Sequence, residues 1–158
     1  MRESLKTGFN FGLTSGIITT LGLIVGLEAG THSTPIVIGG ILTIAIADAF
    51  SDSLGIHICE ESENKHTTRE VWESTISTFM FKFLFALTFI IPILLLDLNS
   101  AIIASVVWGL TIISILSFTM ARKQKKPFLN VVGEHVVIAL VVITITHYVG
   151  DWIAVTFI

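Results

Sequence analysis

The stretch IADAFSDSLG, residues 46–55, puts two aspartates four residues apart inside a run apolar enough to lie in lipid. Asp48 and Asp52 therefore share one face of the helix that carries them. An ionised carboxylate costs roughly 2.5–3.5 kcal/mol on membrane-insertion scales, so such a placement needs a reason. The run itself covers about residues 35–57, and a helix needs about 20 mostly apolar residues to cross a bilayer. Four more runs of this kind occupy roughly 8–28, 75–97, 99–121 and 131–157. The breaks between the five are AGTHSTP, CEESENKHTTREVWES, DLNS and ARKQKKPFLN, which carry the Gly, Pro, Asn and charge signals of loops. None is long enough to fold separately. The expectation is an all-α integral membrane protein with a single domain, 1–158, of five transmembrane helices.

Composition agrees. Of 158 residues, 53% are hydrophobic and 13% charged, against about a quarter charged in a soluble domain. The mean hydropathy is +0.87. The single cysteine, Cys59, excludes an intramolecular disulfide. The first twelve residues, MRESLKTGFNFG, run into the first apolar segment without a small-residue cleavage site, so that segment reads as retained. A net charge of −3 says little, because in a membrane protein the placement of charge matters more than the sum, and no nucleic-acid partner is expected. Arg2, Lys6, Lys65, Arg69, Arg122, Lys123, Lys125 and Lys126 all fall on one side of a five-span chain. That side is the cytoplasm by the positive-inside rule, which places the N-terminus there and the C-terminus on the far side. The minimal loops suggest a prokaryotic cell membrane.

The ninth basic residue, Lys82, lies within the third span. With Ser15, Asp48, Asp52 and Glu134 it forms the polar content of the half of the spans nearer the basic loops. At 1.5 Å per residue Asp52 lies about 8 Å, and Asp48 about 13 Å, from that end of the second span. Two explanations stand side by side. Lys82 pairs with Asp52 at matching depth in one structural salt bridge, or the surplus of three carboxylates over one amine is met by a divalent cation or by protons. Oxygen ligands suit Mg²⁺, Ca²⁺, Mn²⁺ and Fe²⁺. Carboxylates crowded in a low dielectric also hold protons more readily, which makes metal-for-proton exchange a natural coupling. The adjoining GIHICEESENKH offers His57, Glu60 and Glu61 as groups that recruit a cation at the mouth, or as a solvated acidic loop. His147 and Asp151 are spaced as an exit site or an interfacial pair. No nucleophile motif accompanies the membrane serines, so an enzyme is not expected, nor a permanently bound cofactor.

The first span carries glycine at 8, 12 and 16 and again at 22, 26 and 30. Such a stripe lets another helix approach closely. We expect it to serve a homodimer through Gly8, Gly12, Gly16, Gly22 and Gly26, with packing inside one protomer as the other use.

Several segments resemble the vacuolar iron transporter family: GLTSGIITTLGLIVGL (12–27), ADAFSDSLGIHICEESE (47–63), IIPILLL (90–96), SFTMARKQKKPFLNVVGEHVVIAL (117–140) and THYVGDWI (146–153). The resemblance implies a five-helix protomer, a homodimer with the ion path near its interface, and export of Fe²⁺ or Mn²⁺ from the cytosol in exchange for protons. The metal-binding residues would be Asp48, Asp52, Glu134, His57, Glu60 and Glu61, with the ion as transported substrate. The chain departs from the family pattern in three places. Ser15 stands where the family has an Asp, Asp52 where it has a Met, and EESENKHTTREV (60–71) replaces its cytoplasmic metal-binding insert. The alternative is a non-transporting scaffold or metal-sensing subunit in which Lys82 neutralises the carboxylates.

Overall fold

Long apolar runs with little Pro favour helix, because in lipid every backbone N–H and C=O must be satisfied within its own segment. The computed structural model describes residues 2–157, and among them there are helices and no strand. They are α1 (Glu3–Thr31), α2 (Thr34–Ser62), α3 (Thr68–Thr88), α4 (Ile90–Leu95), α5 (Leu98–Gln124) and α6 (Phe128–Phe157). Five stretches are long and apolar enough to cross a membrane, α3 and α4 together making the span Thr68–Leu95. The fold class expected from hydropathy, a multi-pass all-helical membrane protein, therefore stands.

The helices run past the apolar windows because their polar ends are capped. The backbone N–H of Glu70 donates to the Thr67 hydroxyl, and the backbone N–H of Thr67 donates to the Glu70 carboxylate. This reciprocal cap starts α3 at Thr68, two turns before the apolar run at 75. Asp97 caps α5 by accepting from the backbone N–H of Ser100 at 3.0 Å, a hydrogen bond that holds its carboxyl below the usual range. The third span, expected as one helix over 75–97, is interrupted at Phe89. Pro92 lacks an N–H, and its ring crowds the carbonyl four residues back, at Thr88, where α3 ends.

The chain forms two compact units, Met1–Thr20 with Ile41–Phe89 and Leu21–Gly40 with Ile90–Ile158. The division falls within α1, within α2 and at the α3–α4 break. In the first unit α1 and α3 run in the same direction with their backbones nearly touching. A methyl group at Gly8 would lie 2.6 Å from Cβ of Ser77, one at Gly12 2.5 Å from the carbonyl oxygen of Thr78, and one at Gly16 3.2 Å from Cα of Lys82. In the second unit the rest of the stripe receives α6. A methyl group at Gly22 would lie 2.9 Å from Val142, at Gly26 3.2 Å from the Thr146 carbonyl, and at Gly30 3.3 Å from that of Gly150.

All six glycines make contacts inside the chain, the second of the two uses expected for the stripe. The physical reason is length. One helix carrying two consecutive small-residue ladders admits two neighbours, and α3 and α6 take them. The outward faces are apolar instead. On α2 the exposed stripe is Leu42, Ile46, Phe50, Leu54 and Ile58, and on α3 it is Trp72, Ile76, Met80 and Leu84.

Gly12→Leu should lower the melting temperature in detergent by the equivalent of about 1–3 kcal/mol of overpacking, without a shift in oligomer mass on light scattering. Gly55→Ala, where a methyl group meets nothing within 4 Å, should gain about 0.5–1 kcal/mol of helix stability. A mass change with unchanged stability in Gly12→Leu would return the stripe to an intermolecular role.

Candidate functional site

The ladder that brings α3 against α1 also delivers Lys82 into the first unit. Because Gly16 lets the Lys82 backbone in, the lysine stem runs along α1 and its ammonium arrives beside Ser15. Lys82 is among the largest fully buried side chains, with its side chain 2% exposed. Its Nζ donates to Oγ of Ser15 at 2.8 Å and forms an ion pair with Oδ2 of Asp52. Ser15 in turn donates to that same Asp52 oxygen at 2.6 Å. Nζ also lies 2.6 Å from Oδ2 of Asp48, although that oxygen has no partner in hydrogen-bonding geometry. One amine thus holds two carboxylates, and a hydroxyl closes the ring through α1, α2 and α3. The carboxylate side chains are 26% and 21% exposed, so the group is sealed on the lysine side and open on the other.

Charge decides what this arrangement can do. With all three groups ionised the cluster carries one net negative charge, and a low dielectric magnifies the cost of that surplus. The cluster becomes neutral on gaining a proton or a monovalent cation, and a divalent ion turns its one negative charge into one positive. Pairing of Lys82 with Asp52 was legible from matching depth. Its simultaneous hold on Asp48, and the bridge through Ser15, were not, since nothing in the sequence gives the rotation of α1 against α2.

The second group of expected residues divides. His57 Nδ1 lies 3.0 Å from Oγ1 of Thr75, with its ring 4.8 Å from the Trp72 ring. His57 and Glu61 line a polar cavity of about 310 Å³ together with Asn64, His66 and Trp72. Glu60 turns the other way. It is 8% exposed and accepts a hydrogen bond from Ser74 of α3, which ties α2 to α3 rather than opening a mouth. Glu134 belongs to the second unit, where it is exposed on α6 and, among the described residues, in no ion pair, while its neighbour His135 bonds Ser117 of α5 at 2.7 Å. His147 and Asp151 form a 3.5 Å pair, each side chain about half exposed. Among the described residues no three of His, Cys, Asp and Glu gather closely enough to hold a metal ion.

One cluster was not foreseen. Glu73 of α3 takes Arg2, Arg69 at 2.9 Å and the Ser4 hydroxyl at 3.0 Å, pinning the start of α1 to the start of α3. Arg69 and Glu73 are one turn apart, a signal present in the sequence, but Arg2 is 71 positions away.

Compared with known proteins, the chain matches no family model, no curated protein and no solved structure.

Removing Lys82 alone should be the costliest change in the cluster. Lys82→Met leaves two half-buried carboxylates without their cation and should destabilise by up to about 3–5 kcal/mol in a detergent melt. Asp52→Asn leaves the lysine still paired through Asp48 and neutralises the surplus charge, so it should cost under about 1 kcal/mol, within the range of one hydrogen bond. The triple change Lys82→Met, Asp48→Asn, Asp52→Asn should recover most of the Lys82→Met loss. An Asp52→Asn penalty as large as that of Lys82→Met would show that Asp48 is not a working counter-ion.

Proposed function

We propose that the protein is a multi-pass membrane transporter of a divalent transition metal, Fe²⁺ or Mn²⁺, with Asp48 and Asp52 as the ligands met within the membrane. The observation that carries this reading is the surplus carboxylate. Two acids on one face of α2 share one ammonium, stay partly open, and leave a negative charge that the protein's own residues do not cancel. A charge of that kind within a span is expensive unless it is used. Lys82 then acts as the resident countercharge that keeps the carboxylates apart from lipid while no ion is bound. His57 and Glu61, lining one polar cavity, recruit the ion from solvent. Glu134 is a further candidate carboxylate.

The choice of metal, its movement out of the cytosol and its exchange for protons rest on the resemblance to the vacuolar iron transporter family. The basic loops favour a cytoplasmic N-terminus, and a prokaryotic cell membrane goes with the short loops. A homodimer belongs to the same reading, with its contact on a face other than the glycine stripe.

A second reading is supported by Lys82's simultaneous contacts to Asp48, Asp52 and Ser15 and by the lack of any three-ligand cluster among the described residues. In it the triad is structural, and the protein is a non-transporting scaffold or metal-sensing subunit.

Metal flux into sealed proteoliposomes separates the two. The wild type should carry Mn²⁺ or Fe²⁺, and Asp48→Asn and Asp52→Asn should abolish flux while the protein stays folded. His57→Ala with Glu61→Ala should weaken uptake at low metal more than at saturation. In melts, a hundredfold metal excess over Kd should stabilise the wild type by about 2.7 kcal/mol and leave the aspartate variants unchanged. A wild type that neither transports nor responds to any divalent ion would leave the scaffold reading standing.

A further inference from the structure

Five of the nine basic residues are matched by a carboxylate within the chain. Arg2 and Arg69 meet Glu73, Lys6 meets Glu3, Lys65 meets Glu63 and Lys82 meets Asp48 and Asp52. The remaining four, Arg122, Lys123, Lys125 and Lys126, lie at the end of α5 and on the turn to α6, and among the described residues none is in an ion pair. No acidic residue occurs between Asp97 and Glu134, and Glu134 makes no ion pair with them. All four are exposed. We propose that this turn is a binding surface for anionic phospholipid headgroups.

The surroundings of the four charges fit a bilayer surface better than open solvent. The Arg122 guanidinium lies 5.2 Å over the Phe118 ring, and Phe118 meets Phe128 edge to face at 5.7 Å. That contact joins the end of α5 to the start of α6 and leaves Phe118, Phe128 and Leu129 exposed beside the cations. Apolar rings next to clustered ammonium groups at the end of an apolar span place tails and phosphates together. The helix dipole accounts for Arg122 and Lys123 in the last turn of α5, but its reach ends there. Lys125 and Lys126 lie beyond it. Lys125 holds φ 55°, the left-handed cap position that glycine adopts without strain. This surface stands apart from the metal-transport reading and does not depend on it.

The test uses the full-length protein in nanodiscs, where both faces are accessible and insertion orientation does not matter. Discs of pure phosphatidylcholine are compared with discs containing phosphatidylglycerol. The wild type should melt higher with phosphatidylglycerol and retain that lipid through detergent extraction, and the gain should shrink as salt rises. Lys123→Gln, Lys125→Gln and Lys126→Gln together should weaken lipid retention on the order of a hundredfold, because each basic residue near a charged surface contributes roughly fivefold. Lys65→Gln, which removes a cation already matched to Glu63, should change nothing. Inorganic phosphate at equal ionic strength should not substitute for the lipid. If the triple variant fails to fold, the wild-type comparison and its salt dependence decide alone. Equal melting of the wild type in both discs at low salt, or a phosphatidylglycerol gain undiminished in the glutamine variant, would overturn the proposal.

Discussion

An ammonium group in hydrocarbon must be met by opposite charge, and Lys82 is the point where this chain meets that demand. Its side chain is almost fully enclosed, and it joins three helices, since Lys82 stands on α3 and its partners are Ser15 of α1 and Asp48 and Asp52 of α2. Breaking one half of a buried pair costs far more than replacing both, so these three helices are tied to one another's rotation about their axes as well as to their contact. The tie also fixes which face of α2 turns inward. With Asp48 and Asp52 drawn to the lysine, Leu42, Ile46, Phe50, Leu54 and Ile58 are left outward, as lipid requires.

The ion cluster rests in turn on backbone proximity. In lipid, apolar side chains gain little by leaving one apolar medium for another, so helices associate by close van der Waals fit and polar contacts. The ladder of Gly8, Gly12 and Gly16 against Ser77, Thr78 and Lys82 supplies that fit in the first unit. Its far end coincides with the cluster, because Gly16 and Ser15 are adjacent. Small residues and charged residues thus work as one device, with the glycines setting the distance at which a lysine reaches two acids. Around it lie further polar clips, Glu60 to Ser74 and Glu73 to Arg2, Ser4 and Arg69, which fasten α3 to α2 and to α1.

The sequence by itself determined the class of structure and the number of spans, since both follow from local hydropathy and from breaks rich in Gly, Pro, Asn and charge. It also carried the periodicity that puts Asp48 and Asp52 on one face and the glycines on another, because helical spacing is a property of one segment. The break at Phe89 was present in Pro92, and the early start of α3 in Thr67 and Glu70, but both yielded to a reading led by apolar windows. Only the tertiary structure decided which neighbours those faces receive. The glycine stripe receives α3 in the first unit and α6 in the second, Lys82 holds both aspartates instead of one, and Glu60 is drawn onto Ser74 while Glu61 faces a cavity. Each of these depends on how one helix is rotated against another. That rotation is set by the summed fit of many distant side chains, a quantity no single segment contains.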